Sequence, residues 1–244
     1  MGIRVLVNGA FGRMGQYVTN AVNAHPSLEL AGQTGRDYDL AQAIKDSKAQ
    51  VVVDFTLPDA VYNNTKAIID AGAHPVIGTT GLTPDEVKSL QKYSNNLKRG
   101  GIIAPNFSLG AVLIMKHARE IAKYIPNVEI IEMHHEAKAD SPSGTAIRAA
   151  QMIAESVKNP NANTAKSSET IAGARGAALH GIPIHAIRLP GMLAHLEIIF
   201  GNTGETVSLR HDTIDRQCFM PGICLAVEKV IEMDYLAFGL EEIL

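Results

Sequence analysis

Apolar residues along the first hundred positions alternate between two rhythms. Short β-rich runs at Arg4–Asn8, Leu28–Gly32, Gln50–Asp54, His74–Gly78 and Gly101–Ala104 predict strands. Helical spacing fills the gaps, most plainly over Met14–Ala24, where Met14, Val18, Ala21 and Val22 share one face. A second helix is predicted after Thr83-Pro84-Asp85-Glu86, which offers a cap residue, a proline at the first helical position and acids in the first turn. The stretch Arg36–Lys48 has room for one small helix at most. Alternation of this kind implies βαβ units, and so a parallel sheet with helices on both faces.

From Leu109 the pattern changes. Leu109–Ile125 reads as a long helix, Val128–Met133 as a strand ending in a polar cluster, and Thr145–Val157 as a helix with Ile147, Ala150, Ile153 and Val157 on one face. Lys158–Gly181, rich in Asn, Ala, Ser, Thr and Gly, is expected to be a mobile loop. Three strand candidates follow with no helix between them: Ile184–Leu189, Ala194–Phe200 and Thr206–Asp212. Turns such as Gly201-Asn202-Thr203-Gly204 between them suggest a mixed, largely antiparallel sheet, whose outer face needs covering. A last helix at Gly222–Glu232 and the apolar tail Tyr235–Leu244 are expected to dock back onto the first domain. The fold class expected is α/β: a Rossmann-type parallel sheet domain plus a smaller α+β domain with a mixed, largely antiparallel sheet. The first would span 1–106, joined by the returning segment 217–244. The second, for substrate binding and oligomerisation, would span 107–216.

Composition narrows the class without changing it. A chain of 244 residues with 46% hydrophobic and 19% charged residues has the balance of a globular protein. Its net charge of −3 argues against nucleic acid as a partner, although local basic spots could grip a phosphorylated small molecule. No apolar run approaches the roughly 18 residues that a membrane helix needs. The strand-length run Ile3–Val7 leads into Asn8-Gly9 with no cleavage-site pattern behind it, so no export signal is expected. Cys218 and Cys224 lack metal-site or redox-motif spacing and read as reduced thiols of a cytoplasmic protein.

The first strand runs straight into Gly9-Ala10-Phe11-Gly12-Arg13-Met14-Gly15 and then a helix, the context a dinucleotide fingerprint requires. Gly9 would allow the tight turn, Gly12 the approach of a pyrophosphate, and Gly15 close helix–strand packing. The amides at the helix start then face an anion. The spacing is GxxGxxG, with Phe11 where the common pattern has its second glycine. Past the second strand, where an acid usually binds the ribose 2′-hydroxyl, the chain offers Gly35-Arg36-Asp37. Arg36, helped by Arg13, could bind a 2′-phosphate, which favours NADPH; in the alternative, Arg36 is a solvated loop residue and Asp37 plays the acid's part. Two further loops follow strand ends, Gly78-Thr79-Thr80-Gly81 and Ala104-Pro105-Asn106-Phe107-Ser108, on the edge where ligands of open α/β sheets bind.

The chemistry concentrates in Glu132–Ala146. Two histidines and a lysine, His134, His135 and Lys138, precede a Ser-Gly-Thr helix start. Ser143 is a plausible N-cap, and the amides of Gly144 and Thr145 would face an anion such as a carboxylate, with His135 and the Thr145 hydroxyl as added donors. Lys138 can supply positive charge and a proton after hydride addition, and His134 can be the acid or orient it. A metal site fits poorly: adjacent histidines on a strand end point opposite ways, and no third ligand has a recognised spacing. His134 alone could equally be a structural histidine. His180, His185, His195 and His211 are scattered and read as structural.

On these residues the chain closely resembles the dihydrodipicolinate reductases, now called 4-hydroxy-tetrahydrodipicolinate reductases. The resemblance runs through GAFGRMG (9–15), DFT (54–56), GTTG (78–81), APNFSLG (104–110), HHxxxKxDxPSGTA (134–146) and RLPGMLAH (188–195). It implies a cytoplasmic homotetramer assembled through the C-terminal sheet, which reduces a cyclic dipicolinate-type dicarboxylate to tetrahydrodipicolinate for lysine and diaminopimelate synthesis. It further implies that Gly9, Ala10, Phe11, Gly12, Arg13, Met14, Arg36, Gly78, Thr79, Thr80, Ala104, Pro105, Asn106 and Phe107 contact NADPH or NADH. His134 and Lys138 would be the catalytic pair, and His135, Ser143, Gly144 and Thr145 would hold the substrate carboxylates. Domain closure with hinges near Asn106–Ser108 and Asp215–Gln217 would exclude water. Departures are Gly35, where many members carry an acid, a shortened segment between the second and third strands, and Ser141 in place of a common alanine. Two other readings share the glycine turn: an aspartate- or homoserine-type dehydrogenase, which has no reason to carry the PSGT block, and a redox-sensing NADP-binding regulator, which would need neither Lys138 nor the histidines.

Overall fold

Val5, Leu6 and Val7 are apolar on both faces of β1 (Ile3–Asn8) and wholly buried, which suits an inner strand of a sheet covered by helices. In the computed structural model, which describes residues 2–162 and 168–244, β1 is followed by α1 (Arg13–Ala24), β2 (Leu28–Thr34), α2 (Leu40–Ser47) and β3 (Val51–Asp54). Next come α3 (Val61–Asp70), β4 (His74–Ile77), α4 (Pro84–Asn96) and β5 (Gly101–Ile103). α4 starts as its sequence demands: Thr83 and Glu86 form a reciprocal capping box around Pro84. The chain divides into two units, Met1–Leu109 with Arg216–Leu244, and Gly110–Asp215.

The first unit holds a six-stranded parallel sheet in the order β11-β5-β4-β3-β1-β2. Its sixth strand, β11 (Leu236–Phe238), comes from the apolar tail and pairs with β5. α7 (Met220–Val230), with Ile223, Ala226, Val227 and Val230 buried, packs beside α1. The connections from β1 run outward to β2 and back to β3 on its other flank. Strand order therefore reverses between β1 and β3, and a crevice opens at their carboxyl ends.

The second unit holds α5 from Gly110 onward (the helix spans Leu109–Ala122), β6 (Val128–His134), α6 (Gly144–Ser156), β7 (Ala177–Leu179), β8 (Ile182–Arg188), β9 (Ala194–Asn202) and β10 (Glu205–Thr213). Its sheet runs β10-β9-β6-β8-β7, antiparallel throughout except for the β6–β8 pair. The mixed sheet is thus the one expected. α6 packs on β6 and β7, burying Ala146, Ala149, Ala150 and Ile153 in a core that includes Ile130, Ile182, Ile198 and Phe200. Each large apolar side chain buried there contributes about 1.5–3 kcal/mol.

Two expectations need correction. The stretch Lys158–Gly181 is not loop throughout, since Ala177–Leu179 forms an edge strand; residues 163–167 of that stretch lie outside the described residues. The long helix from Leu109 ends at Ala122 and not at Ile125, the last residues forming a turn. Among the described residues no helix is long and apolar enough to cross a membrane. Cys218 is half-buried and Cys224 buried, and the two are not joined in a disulfide.

Candidate active site

The glycine turn is built by sterics. Gly9 has φ +79°, and a Cβ there would lie 2.3 Å from the Phe55 carbonyl oxygen. A Cβ on Gly15 would lie 2.1 Å from the Gly9 carbonyl oxygen, so the helix could not approach the strand. Gly12 differs: a Cβ there meets nothing nearer than 3.4 Å. The fold itself does not require a glycine at that position, which is what a residue kept small for a ligand should show. The amides of Gly9 and Ala10 donate to the Thr34 carbonyl at 2.9 and 3.0 Å, tying the turn to the end of β2.

A cleft of about 530 Å³ opens here, lined by Gly9, Phe11, Gly12, Arg36, Tyr38 and Thr56 among others. Arg36 therefore faces the glycine turn. Asp37 is exposed and not part of that lining, and Arg13 is exposed at the start of α1. Phe11 and Tyr38 place their rings 6.1 Å apart. A Cβ on Gly35 would sit 2.9 Å from the Phe11 ring, so the acid missing at this position and the phenylalanine in the glycine turn are sterically linked. Glycine curvature, a helix start, a guanidinium and aromatic faces suit a dinucleotide. A larger groove, about 690 Å³, lies between α1 and α7 and is lined mostly by apolar side chains such as Ala21, Met220 and Leu225. Its ionisable pair is His25 with Glu228, 4.0 Å apart, so size alone does not make it the site.

Beneath the cleft lies the first residue of the DFT stretch (54–56), to which the sequence alone assigns no role. Asp54, at the end of β3, has no solvent exposure. Its Oδ2 accepts from Asn8 Nδ2 at 2.8 Å and Asn64 Nδ2 at 3.0 Å. Its Oδ1 accepts from the Thr56 amide at 3.1 Å and from the Thr56 and Thr79 hydroxyls at 2.7 Å each. Asn8 in turn accepts from Thr34 Oγ1 at 2.9 Å. One carboxylate thus binds together the ends of β1, β3 and β4, with β2 joined through Asn8. Thr79 spends its hydroxyl on this network, while Thr80 is exposed. Of the fifth-strand loop, Ala104 and Phe107 are buried, Pro105 is exposed, and Asn106 accepts from the Ser108 amide at 2.8 Å.

In the second unit, the turn from β6 into α6 gathers the remaining predicted residues. β6 ends at His134, so the alternation expected of two strand histidines does not extend to His135. The Lys138 amide donates to the His135 carbonyl at 3.1 Å, closing the turn, and Lys138 Nζ donates to Asp140 Oδ1 at 2.6 Å. That hydrogen bond holds the Asp140 carboxyl below its ordinary value. Ser143 caps α6, accepting from the Ala146 amide at 3.3 Å. Gly144 is exposed at the first helical position, where an amide has no intrahelical acceptor.

Glu132 supports this turn from below. Its side chain is fully buried, and Arg188 grips it in a fork at 2.7 and 2.8 Å. His134 Nδ1 lies 2.6 Å from Oε2, and the Ser143 amide donates to Oε1 at 3.0 Å. Burial alone would push the carboxyl up, but the hydrogen bonds from His134, Arg188 and the Ser143 amide outweigh it and hold the group at about 2. A sequence signal existed: Val128, Ile130 and Glu132 share the buried face of β6 at period two, so an acid stands at a core position and must find partners.

Comparison with known proteins agrees with both halves. The family model described as dihydrodipicolinate reductase, N-terminus, matches residues 3–107, and that for the C-terminus matches residues 110–244. A protein of Coxiella burnetii (strain Dugway 5J108-111) named 4-hydroxy-tetrahydrodipicolinate reductase is 52% identical over 244 residues, covering 100% of both chains. One of the same name from Legionella pneumophila (strain Paris) is 49% identical, again over 100% of both. The solved structure of dipicolinate-bound dihydrodipicolinate reductase from Paenisporosarcina sp. TG-14 superposes with a TM-score of 0.90 at 40% identity, covering 100% of both chains. With glycine turn, mixed sheet and β6–α6 turn all inside the matched length, the chain belongs to the dihydrodipicolinate reductase family.

Proposed function

We propose that the chain reduces 4-hydroxy-tetrahydrodipicolinate, the cyclic dicarboxylate of the dihydrodipicolinate step, to tetrahydrodipicolinate in lysine and diaminopimelate synthesis, using NADPH in preference to NADH. The observation that carries the reading is the β6–α6 turn, which sets His134, His135 and Lys138 beside a capped helix start. A ring bearing two carboxylates needs cations and N–H donors, and this turn supplies both. Ser143, Gly144 and Thr145 at the start of α6, joined by His135, hold a carboxylate. Lys138 turns from Asp140 to the substrate, where its charge is worth most with water excluded. The reduced nicotinamide, when bound, supplies the hydride. His134 and Lys138 hold the proton that balances it.

On the cofactor side, Gly9, Ala10, Phe11, Gly12, Arg13 and Met14 cradle the pyrophosphate half. Gly78, Thr79, Thr80, Ala104, Pro105, Asn106 and Phe107 flank the nicotinamide half. Arg36 lines the cleft and no acid stands at Gly35, an arrangement that suits a 2′-phosphate. The chain works as a cytoplasmic homotetramer. In support, the face of the second sheet opposite α6 carries the half-buried Ile131, Ile187 and Ile199 among paired charges such as Arg210 with Asp212 and Glu197.

The test is oxidation of NADPH and of NADH by the purified chain with freshly prepared substrate. Turnover with both, and better with NADPH, is expected; no oxidation of either rejects the reading. Lys138→Ala should lower kcat by about 100-fold or more while cofactor affinity stays within about twofold. An unchanged rate at saturating substrate removes Lys138 from the mechanism.

A further inference from the structure

Glu132 takes no part in the steps proposed above, yet every acceptor position of its carboxylate is occupied. Oε1 accepts from the Ser143 amide at 3.0 Å and Arg188 Nη2 at 2.7 Å. Oε2 accepts from Arg188 Nη1 at 2.8 Å and faces His134 Nδ1 at 2.6 Å. An ionised carboxylate only accepts, so a ring nitrogen at that distance must carry a hydrogen. The low value of about 2 for Glu132 keeps it ionised at neutral pH. The neutral imidazole then has its lone pair on Nε2, and the protonated one has its transferable proton there.

We propose that Glu132 is a positioning residue that fixes the His134 imidazole with Nδ1 protonated and Nε2 as its reacting nitrogen, while anchoring the start of α6 through the Ser143 amide. A carboxylate present only to neutralise Arg188 would be satisfied by the fork alone. Here the same two oxygens also orient the imidazole and the residue that caps α6. Acid and anion site are thereby held in register by one side chain, and relative placement is what a proton transfer to a bound ring depends on. Arg188 completes the arrangement by donating to the Asp140 carbonyl at 2.9 Å, next to the carboxylate that pairs with Lys138. The inference rests on His134 being one of the reacting pair, and deepens that reading.

The test has one arm that needs no substrate. Long-range proton–nitrogen NMR of the full chain labelled with nitrogen-15 histidine, with His134 assigned by its loss in His134→Gln, reports which ring nitrogen carries the hydrogen. The Nδ1–H form is expected in the native protein, and loss of that form in Glu132→Gln. A native His134 in the Nε2–H form overturns the proposal, whatever reaction the protein runs and whether or not the variant folds. In the kinetic arm, Glu132→Gln should lower kcat by at least about tenfold, within the ~10²–10⁴ that general acid–base help is worth, with a smaller change in KM. In a His134→Gln background the same substitution should cost markedly less in kcat, only the share due to the α6 anchor remaining. An equal penalty with and without the imidazole would mean that Glu132 serves only the fold. Absence of all turnover in the native protein would defeat the substrate assignment, while the NMR arm would still decide this one.

Discussion

Lowering the pH should remove a definite share of stability through Glu132. The folded carboxyl sits at about 2 against an ordinary value of 4.5. A group held lower in the folded state stabilises it fully above the unfolded value, and loses that stabilisation as pH falls toward the folded value. The gap corresponds to about 3 kcal/mol, of which a little under half is gone by pH 3.5. Glu132→Gln removes the titration and also leaves the Arg188 guanidinium without its carboxylate, a loss of about 3–5 kcal/mol at neutral pH for a buried pair. Urea unfolding of native protein and variant, at equal protein concentration from pH 7 to pH 3.5, separates the two effects. The native protein should start well above the variant and close on it by about 1 kcal/mol or more over the acid end of that range. Exposed carboxyls such as Glu86, Glu120 and Glu169 are also held low, but they are common to both proteins and cancel in the difference. Stability curves that stay parallel down to pH 3.5 would refute the buried-hub account of Glu132.

Three further outcomes follow from the first unit. Arg36→Ala should weaken NADPH binding by about tenfold or more and leave NADH within about twofold, measured by fluorescence titration; an untouched NADPH affinity means that another residue reads the 2′-phosphate. Gly35→Glu should weaken both cofactors because its Cβ meets the Phe11 ring at 2.9 Å, whereas Gly35→Glu with Phe11→Ala should move the NADH-to-NADPH affinity ratio by at least about tenfold toward NADH. No difference between the single and double variants would sever that link. Gly15→Ala should cost about 2 kcal/mol, or roughly 4–8 °C in Tm by calorimetry, since the added methyl meets backbone at 2.1 and 2.6 Å. A Tm within one degree of native, about 0.3 kcal/mol, would show that strand and helix have more room than the turn implies.

Hydropathy patterning was a good guide wherever burial was continuous. β1 and β3 are runs of buried valine and leucine, and parallel strands covered on both faces leave that trace. The glycine turn and the β6–α6 turn were legible because their residue types are chemically unusual for a strand end. Elsewhere the pattern was weaker for identifiable reasons. α3 buries Val61, Thr65, Ile68 and Ile69, but Thr65 hides the stripe: its polar hydroxyl is satisfied by the Val61 carbonyl at 2.7 Å. β7 is three residues long, with two of them exposed, and has no periodicity to read. The form of the tail, a strand beside β5, depends on pairing with residues more than a hundred positions away.

The acids that organise the two sites escaped for a deeper reason. Hydropathy treats aspartate and glutamate as surface residues, so the residue type alone marks neither Asp54, at the end of an expected strand, nor Glu132, inside one, as buried. Both are buried, and each satisfies its charge in a different way. Asp54 is held by neutral donors alone: Asn8, Asn64, Thr79, and the amide and hydroxyl of Thr56. Loops at strand ends have little apolar surface to pack, so a directional acceptor with several bonds can fix what packing cannot. Glu132 instead meets a cation, Arg188, and the neighbouring Lys138 meets Asp140. These two acids and two bases cancel, so before ligand binds the cluster offers a dianion no net positive charge. On the proposed reading, positive charge reaches the dianion when Lys138 leaves Asp140. That exchange puts an ammonium proton beside the anion that will receive it, so the substrate's own charge draws the donor out of its resting ion pair.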